Sequence, residues 1–162
     1  MKARWLVLTA VWGASFACGT RGDAASGVSQ TTLAAWLEAS GVSSTSGADG
    51  LRWSCPGDEG VAAIARVEET RVRLATNGLY RISEAQGSRG VTMVLTQVAT
   101  LAHDLDWGAL SLDPETGEVV YTITLQVLDG LGADTLQVAT EALCLGAETA
   151  RPILSRAGNL DE

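Results

Sequence analysis

A chain of 162 residues with 46% hydrophobic content has room for one domain with its own core, and extensive intrinsic disorder is excluded. Aromatic residues make up only 5%, so the core must be built mainly from Leu, Val, Ile and Ala. Nineteen acidic residues outnumber 11 basic ones, a net charge of −8 and the wrong sign for a surface that binds nucleic acid or anionic lipid.

The amino terminus reads as an export signal. Met1-Lys2-Ala3-Arg4 is short and positive, and Trp5 to Ala17 then runs without a charge through Leu6, Val7, Leu8, Val11 and Trp12. That run has the length of a signal-peptide core and falls short of the ~20 residues a membrane-spanning helix needs. Ser15-Phe16-Ala17-Cys18 resembles a bacterial lipobox, which makes Cys18 the expected lipid-attachment residue. Ser15 and Phe16 depart from the usual pattern, and Ser15-x-Ala17 would equally serve an ordinary signal peptidase, with Cys18 as the first mature residue. Residues 1–17 are thus expected to leave as a signal peptide, and 18–29, small, polar and glycine-rich, to form a flexible tether. The expected product is exported, in the periplasm or anchored at the outer membrane, and touches a membrane only through an N-terminal lipid. It carries nine basic residues against 19 acidic ones.

Three cysteines, Cys18, Cys55 and Cys144, leave one unpaired in an oxidising compartment. If Cys18 carries lipid, Cys55 and Cys144 remain as a natural pair; two separate buried thiols are the alternative. A bridge between them would stabilise by ~4 kcal/mol by closing a loop of about ninety residues.

Along the mature chain, Ser29 to Ser40 reads as a helix with Leu33, Trp36, Leu37 and Ser40 on one face, capped by Ser29 or Thr31 and ended by Gly41. Residues 41–50 form a Ser/Gly loop. Leu51 to Cys55 alternates as a short strand closed by Pro56-Gly57-Asp58. Strands follow over Val61–Glu69 and Thr70–Thr76, the second with Val72 and Leu74 buried and Arg71 and Arg73 wet. Asn77-Gly78 predicts a hairpin into a strand over Leu79–Ile82, and a polar loop runs from Glu84 to Gly90.

Val91 to Leu105 is the second helix, with Val91, Val94, Leu95, Val98, Leu101, Ala102 and Leu105 as its apolar stripe. Trp107 to Leu112 reads as a strand and Asp113 to Gly117 as its turn. Val119, Tyr121, Ile123, Leu125 and Val127 then face one way along the clearest strand of the chain. Asp129-Gly130 turns into a third helix from about Ala133. Its buried face is Leu136, Ala139, Thr140, Leu143 and Ala147, with Cys144 on the border, and Pro152 is expected to kink or divide it. The domain is therefore α+β, an antiparallel sheet packed by helices in the order α-β-β-β(β)-α-β-β-α, occupying 30–157 with a tail at 158–162.

From Val91 onward the chain resembles the YbjN family, bacterial proteins regarded as sensory transduction regulators. The resemblance lies in Leu101-Ala102-His103-Asp104-Leu105, in Trp107-Gly108-Ala109-Leu110-Ser111-Leu112-Asp113-Pro114, in Gly117-Glu118-Val119-Val120-Tyr121 and in Asp129-Gly130-Leu131. Relatives usually have an Asn near the end of the middle helix, where this chain has His103-Asp104. The resemblance implies a fold like that of type III secretion chaperones, which are often dimers that bind peptide segments of partners.

No catalytic constellation is legible. His103 is the only histidine and is offset from the apolar stripe, so a helix-end or solvated position is expected for it. There is no Gly-x-Ser-x-Gly, P-loop or His-Glu-x-x-His motif. Asp113, Glu115 and Glu118 cluster at a hairpin whose turn chemistry explains them without a ligand. No metal or other cofactor is implied. A buried core position is expected for Trp107, with a weak partner contact as the alternative; it is the one candidate residue for such a contact. The expected function is that of a non-enzymatic exported binding or adaptor module, a lipoprotein with a protein or peptide partner and a possible homodimer, with no nucleic-acid role. The alternative is a periplasmic small-ligand carrier or an enzyme using an unrecognised pocket.

Overall fold

The computed structural model describes residues 28–159 apart from positions 57, 69, 84–85, 106 and 128–130. The expected signal peptide, Cys18 and all of the tether but Val28 and Ser29 lie outside the described residues, as do the Asp129-Gly130 turn and the last residues of the tail.

Helix α1 (Gln30–Ala39) starts where Ser29 Oγ accepts the Thr32 N–H at 3.0 Å, and it buries Leu33 and Leu37. Strands β1 (Thr45–Gly47), β2 (Gly50–Cys55), β3 (Asp58–Glu68), β4 (Arg71–Asn77) and β5 (Tyr80–Arg81) follow. Helix α2 (Ser88–Asp104), strands β6 (Ala109–Leu112) and β7 (Glu118–Gln126) and helix α3 (Ala133–Gly158) complete the domain. All pairings are antiparallel, and β7 is flanked by β4 and β5 along one edge and by β6 along the other.

The side-chain alternation of the strands decides where the helices go. Leu51 and Trp53 of β2, Val61, Ala63 and Ala65 of β3, Val72 and Leu74 of β4, and Val119, Tyr121 and Ile123 of β7 share one face and one core with the helices. Helix α3 supplies Leu136, Ala139, Leu143, Ala147, Ala150 and Leu154 to it.

Four expectations need correction. β1 lies inside what reads as a Ser/Gly loop, and it forms because β2 offers it an edge. Asn77-Gly78 does not make a hairpin: β4 and β5 both pair with β7, so the chain bulges at Gly78 and Leu79 and continues along the same edge. Helix α2 begins three residues earlier than its apolar stripe, at Ser88. Pro152 does not divide α3, which is one helix of 26 residues with Leu154, Ala157 and Gly158 buried beyond the proline. The exposed Glu148, four residues earlier, can give its freed carbonyl to water.

Candidate functional site

Trp107 and Gly108 lie between the end of α2 and β6. The expected strand over Trp107–Leu112 starts only at Ala109, because Gly108 takes a φ of +80° and turns the chain just before it. A Cβ on Gly108 would stand 2.5 Å from the Thr122 carbonyl oxygen and 2.9 Å from Tyr121 Cε2, so glycine is required both for the turn and for the close approach. The result is a tryptophan 44% exposed, in place of the expected buried core position.

Tyr121 anchors this corner from below. Its ring is buried, with α3 resting on it at Gly146, where an added Cβ would come within 2.4 Å of Cε1. Its hydroxyl donates a hydrogen bond to the Trp107 carbonyl. Burial raises the Tyr121 pKa above the usual phenol range, which keeps the proton on the donor. On the backbone side, the buried Thr76 hydroxyl accepts the Tyr121 N–H at 3.0 Å, replacing a main-chain partner where the β4–β7 ladder ends.

Around the corner runs an apolar groove. Leu105, Trp107, Ala142, Leu145 and Gly146 line an open cavity of about 400 Å³, with Asp104 and Thr149 at its rim. Leu145 is 64% exposed, an unusual position for leucine, and it lies beside the less exposed Trp107. On the other side of Trp107, a second open cavity of about 460 Å³ is lined by Gly108, Ala109 and Thr122 to Leu125. β6 covers β7 only from Val119 to Thr122. The odd-numbered residues of β7 point their backbone groups at β4, since Tyr121 meets Thr76 and Val127 donates to the Thr70 carbonyl. Thr124 and Gln126 therefore turn their N–H and C=O toward an edge with no strand beside it among the described residues.

The remaining sequence-level candidates are not brought together with this groove. Cys55, at the end of β2, and Cys144, on α3, are joined, with Cα atoms 5.4 Å apart. His103 is exposed in the last turn of α2. Asp113 Oδ1 accepts the Glu115 N–H at 2.9 Å and the Thr116 N–H at 3.4 Å, and the first of these bonds chiefly lowers its pKa. Asp113 thus caps its own turn, and the Glu118 carboxylate lies 3.9 Å from Arg81 Nε. Among the described residues no group of three His, Cys, Asp or Glu is placed to hold a metal ion. The sequence reading missed Leu145, which falls at a polar-face spacing on α3 and carries no motif.

No family model matches the chain, and no curated protein does. Solved structures do. YbjN from E. coli, a candidate transcription regulator, matches with a TM-score of 0.59 at 15% identity, over 76% of this chain and 92% of that one. The ExsC–ExsE complex matches with a TM-score of 0.53 at 20% identity, over 77% and 92%. An uncharacterized protein from Methanothermobacter thermautotrophicus matches with a TM-score of 0.53 at 12% identity, over 80% and 99%. The α+β fold expected from the sequence, YbjN-like and type III secretion chaperone-like, is the fold observed.

Proposed function

We propose that this protein is a non-enzymatic adaptor that captures a segment of a partner protein in the groove beside Trp107. The observation that carries this reading is an exposed pair of large apolar side chains, Trp107 and Leu145, next to backbone groups of β7 with no strand beside them among the described residues. A partner segment could place apolar side chains against the pair and main-chain hydrogen bonds on Thr124 and Gln126. The ExsC–ExsE complex, a two-protein assembly on a similar fold, supports this mode. The small-ligand carrier or enzyme reading calls for a deep pocket with convergent polar groups, whereas both cavities beside Trp107 are open.

Panning a peptide display library against the immobilised domain tests the proposal. Enriched peptides should bind Trp107→Ala at least ~30-fold more weakly, the loss expected of a central aromatic anchor. Peptides indifferent to Trp107→Ala and to Leu145→Ser would refute it. The proposal extends to location: the protein is exported, its signal peptide removed, and its Cys18 lipidated. Intact mass and detergent partitioning of the mature protein check this, and an unmodified Cys18 thiol would overturn the anchor. Homodimerisation is checked by light scattering, where a concentration-independent monomer would exclude it.

A further inference from the structure

The sheet has a second face, opposite the helices, and its side chains form a regular lattice that the register makes explicit. Arg66 of β3 stands directly across from Arg73 of β4, which stands across from Thr124 of β7. One row along come Arg52, Ile64, Ala75 and Thr122; on the other side come Glu68, Arg71 and Gln126. A further row holds Ser54, Ala62 and Asn77. All four arginines are exposed.

Such an arrangement is costly to the fold. Like charges directly opposite on neighbouring strands repel, and Arg66 and Arg73 occupy that relation. The offset among the described residues is partial: Glu68 stands across from Arg71 but beyond ion-pair distance. Arg52 reaches the Asp49 carboxylate at 3.0 Å, but Arg66 Nε donates only to the neutral backbone carbonyl of Asp49, at 2.8 Å. No described carboxylate lies within ion-pair distance of Arg71 or Arg73. Between the arginines the surface is low: Ala62, Ala75, Ser54 and Thr122, with Ile64 buried flush among them although it lies outside the main core. A chain with a net charge of −8 has thus gathered four of its 11 basic residues on one flat face.

We propose that this face docks an acidic, extended polypeptide segment, its carboxylates held by Arg66, Arg71 and Arg73 with Arg52 at the margin. Guanidinium forks match carboxylates in geometry as well as charge. The small residues between the arginines leave space for a main chain. Size selects the partner class. A long polyanion or a lipid surface would extend past the patch onto a protein that is acidic as a whole, whereas a short segment engages only the arginines within a screening length of about 8 Å. The Leu145 side of the Trp107 groove lies across the sheet on the helix face, and the two sites adjoin only at Thr122, Thr124 and Gln126 of β7, so Leu145→Ser and the arginine variants let either proposal fail alone.

The test uses the full chain and a fluorescein-labelled decapeptide alternating Glu and Ser, read by fluorescence anisotropy. Binding should be measurable at low salt, weaken as NaCl is raised, and be absent for the matched Gln-Ser peptide. Arg66→Gln with Arg73→Gln should weaken it at least tenfold, while Arg89→Gln on α2 should leave it unchanged. Because the Arg66 stem also covers part of the sheet, Arg71→Gln with Arg73→Gln is the second variant, and its melting temperature should match or exceed that of the parent. The proposal is overturned if the parent does not bind the Glu-Ser peptide. It is equally overturned if both double variants bind as the parent does, or if anionic vesicles or a DNA oligonucleotide bind more tightly through the same arginines. A self-associated parent whose oligomer dissolves in the Arg71 and Arg73 variant would assign the face to a second copy of this chain instead.

Discussion

Substituting Gly146 by Ala pits the two forces that shape the groove against each other. In a helix interior alanine is favoured over glycine by about 1 kcal/mol, so secondary-structure propensity alone predicts a more stable protein. The structure predicts the reverse. The new methyl would sit 2.4 Å from Tyr121 Cε1, 3.0 Å from Cζ and 3.1 Å from Cδ1. Retreat is limited, because the opposite edge of the ring faces the Gly108 backbone so closely that a Cβ there would stand 2.9 Å from Cε2. Overpacking of this kind costs about 1–3 kcal/mol, and displacing the ring loses its hydroxyl bond to Trp107, about 1 kcal/mol more. After the propensity gain the net loss is about 1–3 kcal/mol, or roughly 2–10 °C in Tm for a domain of this size. Urea denaturation and thermal melts followed by circular dichroism measure it. Gly132→Ser is the control: a Cβ there meets nothing within 4 Å, and a serine at this N-cap position should gain a few tenths of a kcal/mol, about the cap difference between the two residues. A Gly146→Ala protein as stable as its parent would refute the claim that α3 is seated on the tyrosine ring.

Replacing Cys55 and Cys144 by Ser should cost up to about 4.5 kcal/mol in the chain-entropy model, since 89 residues separate the two, and chemical denaturation with and without reductant reads it. Thr76→Val keeps the shape but leaves the Tyr121 N–H buried without a partner, an expected loss of about 1–3 kcal/mol by urea denaturation. Burial raises the Tyr121 pKa, so its proton is held more tightly in the folded state than in the unfolded one. The stability this brings is complete below the unfolded phenol value near 10 and declines as pH rises through the folded value. Denaturation at stepped alkaline pH should show that decline, and Tyr121→Phe should remove its share of it.

Where one residue type repeats at one spacing, the sequence already described the structure. Val72 and Leu74 against Arg71 and Arg73 placed both faces of β4, and Val119, Tyr121 and Ile123 placed the inner face of β7. Ser29 and Gly41 marked the ends of α1 because capping is local chemistry: Ser29 accepts from Thr32, while Gly41 and Val42 donate back to Glu38 and Leu37. What escaped depends on contacts distant in sequence. Thr45-Ser46-Gly47 has no strand character of its own, and Asn77-Gly78 makes an ordinary hairpin signal until β7 captures both flanking segments. The apolar stripe on α2 is wider than the strip it buries: Leu95 is 42% exposed, because the helix packs on α3 and β6 over a narrower contact. The candidate site was half legible. Trp107 could be singled out, but its partner Leu145 and the turn at Gly108 that exposes it become visible only when α3 and β7 are brought together.

α3 is the last element in the chain, and it touches α1, α2, β3, β4, β5 and β7. During synthesis, then, the sheet and α1 emerge before the helix that completes the cover of Leu33, Leu51, Val72 and Leu74. Closure of the core is a late, long-range event, slow by the rule that contacts distant in sequence form last. The cover of the sheet therefore depends on contacts that span most of the domain's length.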